Sequence, residues 1–200
     1  MSVSEALKQR RSIKNFDPAH KMSDNEFQHL MEHAILSPSA FNLQHWRIVR
    51  VTDAEQRQAI RTAAYDQPQM TDASEVLVLC MDLKTWAKEP AQYWNHTGPE
   101  VTDFMVQSIT GYYQENSQAQ RDEGMRSCSI LSMALMLMAQ EMGYYSCPMD
   151  GFDFAKVGEI INMPNDHEIC LILTIGKPLT DPHPKGGQLK IEDVVLKDRF

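Results

Sequence analysis

Two short stretches hold side chains suited to an anionic, hydrogen-bonding ligand. Arg10, Arg11 and Ser12 stand together near the start of the chain, with Lys14 just beyond. Guanidinium groups present forked N–H donors that match phosphate oxygens, and the serine hydroxyl adds another donor. The same residues could equally form a solvated basic face. Further along runs Ser37-Pro38-Ser39-Ala40-Phe41-Asn42-Leu43-Gln44-His45-Trp46. Its Ser, Asn and Gln side chains offer directed donors and acceptors, which suit a heterocycle edged by alternating C=O and N–H groups. An ordinary polar turn between a helix and a strand is the plain alternative.

Other constellations point to bland roles. His29 and His33 are spaced to share one face of a helix, but H-E-x-x-H is not matched and no third ligand is evident. They read as solvent-facing residues, and no metal site is expected. The four cysteines, Cys80, Cys128, Cys147 and Cys170, form no C-x-x-C pair. Cys80 and Cys170 lie in apolar strand-like runs, and Cys128 and Cys147 read as buried structural thiols. Met125, Met133, Met136, Met138 and Met142 recur at helical spacing and fit a core or a dimer interface better than a soft-metal site. No G-x-G-x-x-G occurs, so no dinucleotide fingerprint is present.

The elements that must position these residues follow from periodicity. A short helix spans Ser4 to Arg11. Ser23-Asp24-Asn25-Glu26 is a capping box, followed by Phe27, Leu30, Met31, Ala34 and Ile35 at helical spacing. The Ser37-Pro38-Ser39 turn stops that helix. Strands are predicted over 46–51, 75–81 and 168–175. Helices are predicted over 53–64, 126–142 (with Gly143 as its C-terminal glycine) and 153–161. Residues 84–123 read as helix with loops and hold six aromatic residues, Tyr112 and Tyr113 among them. The tail from 178 is rich in Pro, Gly and charge. Helices and strands mix without regular alternation, which predicts a single α+β domain over residues 1–200, its sheet flanked by helices.

A formal net charge of −8 gives no basic footprint for nucleic acid. No apolar run near the N-terminus suits a signal peptide, and none reaches membrane-spanning length. A cytoplasmic protein with no membrane partner is the expectation.

Taken together, Arg10 to Ser12 and Ser37 to Trp46 resemble the R-x-S and S-P-S-x-x-N-x-Q-x-W signatures of the nitroreductase family of FMN-dependent oxidoreductases. Cys147 to Asp153 is similar to the family's P-x-x-G-F-D, and Pro184 to Leu189 to its tail motif P-[RK]-G-G-Q-L. The four segments occur in the family's order. The resemblance implies a mainly antiparallel sheet flanked by helices, in an intertwined homodimer with shared FMN sites. It implies that Arg10, Ser12 and Lys185 hold the FMN phosphate and ribityl chain, with Arg11 acting mainly through its backbone and Gly187 in the same tail motif. Lys14 and Gln69 would lie toward the pyrimidine edge, with Gln67 a further cofactor contact. Pro38, Ser39 and Asn42 would come from the partner subunit and cover the ring, with Gln44 of the same motif a further cofactor contact. Pro148, Met149, Asp150 and Gly151 would face the ring, with a backbone N–H near Asp150 or Gly151 at flavin N5. Phe41, Tyr112 and Tyr113 are candidate substrate contacts, the two tyrosines equally readable as packing at a helix junction.

The implied activity is two-electron, ping-pong transfer from NADH or NADPH to a quinone or nitroaromatic, with solvent able to supply the proton and no catalytic side chain. A relative that reduces another substrate (by dehalogenation or ene or imine reduction) and a non-catalytic flavin binder are the alternatives. Two departures stand out: Gln69 replaces a lysine of some relatives, and Lys185 or Gly187 stands where many have arginine.

Overall fold

The computed structural model describes residues 1–200. Reciprocal capping boxes start the first two helices, α1 (Val3–Gln9) and α2 (Asp24–Ala34). In each, a serine oxygen accepts the N–H three residues on, and the glutamate there accepts the serine's own N–H. Ser23 and the Tyr144 hydroxyl donate to Glu26 and hold its carboxyl down to about 2. Leu30 and Ala34 of α2 are buried, whereas Ile35, expected on the same stripe, caps the helix and is largely exposed.

Four strands form one sheet: β1 (Trp46–Arg50), β2 (Glu75–Asp82), β3 (Tyr145–Met149) and β4 (His167–Gly176). Their order is β1-β2-β4-β3, and every pairing is antiparallel. β2 is buried from end to end because both faces of the sheet are covered. Alternate residues feed two cores, as the two-residue period of a strand requires. Val76, Val78 and Cys80 pack with Ile60, Met70 and Val157, on the side of α3 (Ala54–Ala63), α4 (Gln69–Asp72) and α7 (Phe154–Ile160). Leu77, Leu79 and Met81 pack with Leu30, Leu131 and Leu135, on the side of α2 and α6 (Ser117–Glu141).

The structure departs from the sequence reading at β3 and at the start of α6, whereas 84–123 is helix with loops as expected. β3 was not expected as a strand; it holds Pro148, which an edge strand tolerates because one side of its ladder is free. α6 begins at Ser117 rather than 126, with Asn116 accepting the Ala119 N–H as its N-cap. Its first turns are polar, so their helical period is invisible in hydrophobicity. Residues 85–97 form short tight turns before α5 (Pro99–Tyr113), which starts with proline in its first turn. Gly143 does end α6: its φ is 74°, and the Gly143 and Tyr144 N–H groups return to Gln140 and Ala139 carbonyls.

Asp82 fastens the end of β2 to the turns beyond it. Its buried carboxylate accepts from the Lys84 N–H, from Lys88 Nζ at both oxygens and from Arg47. A last short helix, α8 (Ile191–Val194), lies in the exposed tail. No helix is long and apolar enough to cross a membrane.

Candidate cofactor site

The C-terminal end of α1 gathers cations. Arg11 Nη1 donates to the carbonyls of Lys8, Gln9 and Arg10, and Lys185 Nζ to that of Leu7, 2.6 Å away. Such contacts satisfy carbonyls that a helix end leaves free. Arg10 reaches Ser12 Oγ at 3.5 Å. Arg10, Arg11, Ser12 and Lys185 line one cavity of about 430 Å³, with His183 and Gln188 among its other lining residues. Lys14 and Ser12 line a second, of about 290 Å³, with Asn15 and again His183.

No carboxylate pairs with Arg10, Arg11, Lys14 or Lys185. The helix dipole offsets only about half a unit charge, so the cluster stays cationic. Lys185 lies below its ordinary pKa, through lost hydration and then the repulsion of Arg11 and Arg10. An anion in the cavity would relieve that repulsion, and a phosphate fits the donor set.

The cationic segment is tied to the sheet. The Ile13 N–H donates to the Ser146 carbonyl at 3.2 Å, beside a parallel bridge between Ser12 and Ser146. Lys14 and Arg10 are close enough to oppose the rise that burial imposes on the Cys147 thiol pKa. That places the cations next to the start of Pro148–Gly151.

Beyond β3 a second group converges. Gln67 Nε2 donates to the Gly151 carbonyl at 2.8 Å and to that of Ala64. Gln69 Nε2 donates to Gln67 Oε1 at 3.2 Å and to Met149 Sδ at 3.4 Å. Gln69 is 1% exposed, and its Oε1 has no partner. A buried acceptor left unpaired costs about 1–3 kcal/mol, and a ligand N–H would satisfy this one. Just before it, Tyr65 and Asp66 have φ of 55° and 60°, a conformation that costs non-glycine residues energy and clusters at functional sites. Asp150 and Gly151 are exposed, and Pro148 is half-buried.

The segment around Asn42 lies apart from both groups. Phe41, Asn42 and Gln44 all have positive φ, near 50°, and Ser39 Oγ accepts the Gln44 N–H to close the loop. Pro38 and Asn42 are exposed. Within one chain no hydrogen bond or ion pair joins this loop to the cations or the glutamines. Phe41 packs on Tyr112 and Tyr113, ring centroids 5.8 and 6.1 Å apart. Tyr113 is a correction to the expected substrate contacts: it is fully buried against Leu43, Ile109 and Ala119 and offers no surface to a substrate. Tyr112 stays 44% exposed. Gly187 is exposed, with open space about it.

Sequence reasoning missed His183 and His45. His183 shares both cationic cavities but sits in a tail with no periodicity to mark it. His45 is buried beneath the strained loop with Nδ1 3.1 Å from Ser127 Oγ, which only the long-range fold reveals.

The nitroreductase family profile matches residues 7–177, which contain every residue of the site except the tail. The chain belongs to the nitroreductase family. It is 42% identical over 181 residues to Protein DrgA of Synechocystis sp., a match covering 90% of this chain and 86% of DrgA. It is 31% identical over 201 residues to an NADH dehydrogenase of Thermus thermophilus, covering 98% and 96% of the two chains. Among solved structures, a chain from Exiguobacterium sibiricum in complex with FMN superimposes with a TM-score of 0.91 at 28% identity, covering 99% of this chain and 98% of that one. The α+β nitroreductase fold expected from the four motifs is thus the fold observed.

Proposed function

We propose that residues 1–200 form a single FMN-binding domain of a homodimeric oxidoreductase that takes hydride from NADH or NADPH and reduces quinones or nitroaromatics. The observation that carries this reading is a cationic cavity with which no carboxylate of the chain pairs, together with a buried, unpartnered acceptor beside β3. The first suits a phosphate and the second a ring N–H, which are the two ends of FMN. The kinship with an FMN-bound chain and an NADH dehydrogenase supports the same reading.

In this reading Arg10, Ser12 and Lys185 bind the phosphate, with Arg11 and Lys8 to Arg10 held in place by α1. Gln69 Oε1 accepts a ring N–H, and its amide nitrogen stays fixed by Gln67 and Met149. Backbone N–H groups near Asp150 and Gly151 face the ring. Lys14 would supply positive charge at the pyrimidine edge, where it would favour reduction of a bound flavin. FMN itself supplies the two-electron acceptor and donor chemistry. No side chain is assigned as acid or base, because solvent can supply the proton.

The dimer is supported by apolar surface that one chain leaves uncovered: Leu7 of α1, Phe104 of α5, Ile130 of α6, and Leu189, Ile191 and Leu196 of the tail. These are side chains that a second copy would cover. A second copy would also bring Pro38, Ser39 and Asn42 to a site their own chain does not reach.

The test is the visible spectrum of the purified protein, followed anaerobically with NADH or NADPH and then menadione. A yellow protein that bleaches with the nucleotide and recovers with the quinone is expected. A colourless protein that binds no added FMN would refute the cofactor and the roles resting on it.

A further inference from the structure

Outside the proposed site, Cys128 of α6 and Cys170 of β4 are two thiols that share one core, between the helix and the sheet. The Cys128 sulfur meets the sheet at the bulge that sets Cys170 between the register partners of Leu79 and Cys80, and each thiol perturbs the other's ionisation. Cys128 Sγ lies 3.4 Å from the Cys80 carbonyl oxygen, so it rests directly on the sheet backbone. The helix approaches this closely because its facing residues are small. One turn before Cys128, a Cβ added to Gly124 would sit 2.9 Å from Met81 Sδ. On the other side, Ser129 Oγ is 3.8 Å from Cys170 Sγ. The remaining cysteines are differently placed: Cys80 and Cys147 both belong to the core on the opposite face of the sheet.

We propose that Cys128 and Cys170 are a redox modification site, closing to a disulfide when the protein meets a hydroperoxide and thereby cross-linking α6 to β4. All four cysteines are free thiols in this structure.

The chemistry balances with hydrogen peroxide as the two-electron oxidant. The Cys170 thiolate attacks one peroxide oxygen, the O–O bond breaks, and hydroxide leaves to take a proton as water. The resulting sulfenic acid is attacked by the Cys128 sulfur. The S–S bond forms, the S–O bond breaks, and the second oxygen leaves as water with the protons of the thiols. Two thiols are oxidised and one peroxide becomes two waters.

The two thiols are unequally prepared. Cys170 reaches the surface slightly, at 9% exposure, while Cys128 has none. The Cys128 thiol, opposed by burial and aided by Ser129, lowers the Cys170 thiol to about 7. The same interaction, together with burial, holds Cys128 far above its ordinary value. Cys170 is thus the sulfur that ionises and is oxidised first, and Cys128 the one that resolves it. Burial pushes Cys80 up to about 12, which leaves it inert.

The test is peroxide treatment of the purified wild-type protein, followed by thiol titration in denaturant and peptide mapping without reduction. The four titratable thiols should fall to about two, with the loss of two hydrogens in mass and a linked pair of peptides holding Cys128 and Cys170. Reductant should restore all four. Cys128→Ser and Cys170→Ser should each abolish the linked pair, and Cys80→Ser should leave it. Four thiols persisting at peroxide levels that oxidise an exposed model dithiol would overturn the proposal. So would a bond involving Cys80 or Cys147, or over-oxidised Cys170 with no cross-link. The readout does not involve flavin or turnover, so it stands or falls separately from the proposed activity.

Discussion

Acidification should destabilise this protein through one buried imidazole. His45 is 2% exposed; Nδ1 meets the Ser127 hydroxyl and Nε2 has no partner. Burial is the main influence on it, opposed by the Asp82 carboxylate and reinforced by Arg47, and its pKa falls from 6.5 to about 4. The folded protein therefore favours neutral imidazole, whereas the unfolded chain takes up a proton as soon as the pH nears 6.5. Stability is present in full above that value, falls as the pH drops, and stops falling from this source below about 4, where the folded protein protonates as well. At about 1.4 kcal/mol per unit, the loss is on the order of 2 kcal/mol by about pH 5 and 3 kcal/mol by about pH 4. Urea unfolding of wild type and His45→Gln across this range is the assay. Between about pH 6.5 and 4 the wild-type stability should slope downward toward acid more steeply than the variant's, by the uptake of one proton. Should the variant fail to fold, the His45 ring resonances in a wild-type NMR titration give the same answer. Equal slopes, or a His45 that titrates near 6.5 in the folded protein, would refute the reasoning. The readout bears on function too, since His45 supports the strained loop from Phe41 to Gln44.

Three further outcomes are expected. Arg10→Ala and Lys185→Ala should each weaken FMN binding, about 10- to 100-fold if each removes one charge-assisted contact of 1.5–3 kcal/mol; quenching of free FMN fluorescence measures it, and unchanged affinity for both would remove the cavity from the site. Gln69→Lys should raise the flavin reduction potential, because it adds positive charge where the reduced ring is anionic; an unchanged potential in a spectroscopic redox titration would sink the assignment of Gln69 to that edge. Asp82→Ala should cost about 2 kcal/mol in urea unfolding, less than a fully buried pair because Lys88 and Arg47 keep 46% and 45% of their side chains exposed; a loss near zero would mean that solvent already satisfies both cations.

What the sequence made legible follows from which forces are local. Capping boxes use residues three apart, so Ser23 and Glu26 could be read directly and the structure has them paired. β2 and β4 were legible because both faces of the sheet are buried and their apolar runs are unbroken. β3 was not, since five residues including a proline carry little period, and its strand character comes from β4 alongside it. The start of α6 was hidden for a related reason. Between Ser117 and Arg126 its stability rests on a cap and on ion pairs such as Arg126 with Glu123 rather than on an apolar stripe.

The candidate site divides along the same line. Arg10 to Lys14 and Pro148 to Gly151 are contiguous in sequence, and one backbone bond from Ile13 to Ser146 suffices to bring them together. Gln69 could be named from its place in a loop, but its function as an acceptor depends on Gln67 and Met149 occupying its nitrogen, which only folding determines. Tyr112 and Tyr113 show the limit most sharply. Adjacent aromatic residues on a helix point about 100° apart, so at most one could face a common ligand, and sequence gives no sign of which. Packing against Leu43 and Ile109 takes Tyr113 inward and leaves Tyr112 outside with Phe41. The loop that holds Phe41 then poses the remaining problem. It keeps three residues at positive φ, yet no hydrogen bond or ion pair to the cations or glutamines of its own chain explains the strain. In the proposed dimer that conformation acquires a purpose, because it projects Pro38 and Asn42 outward, where only a second copy can use them.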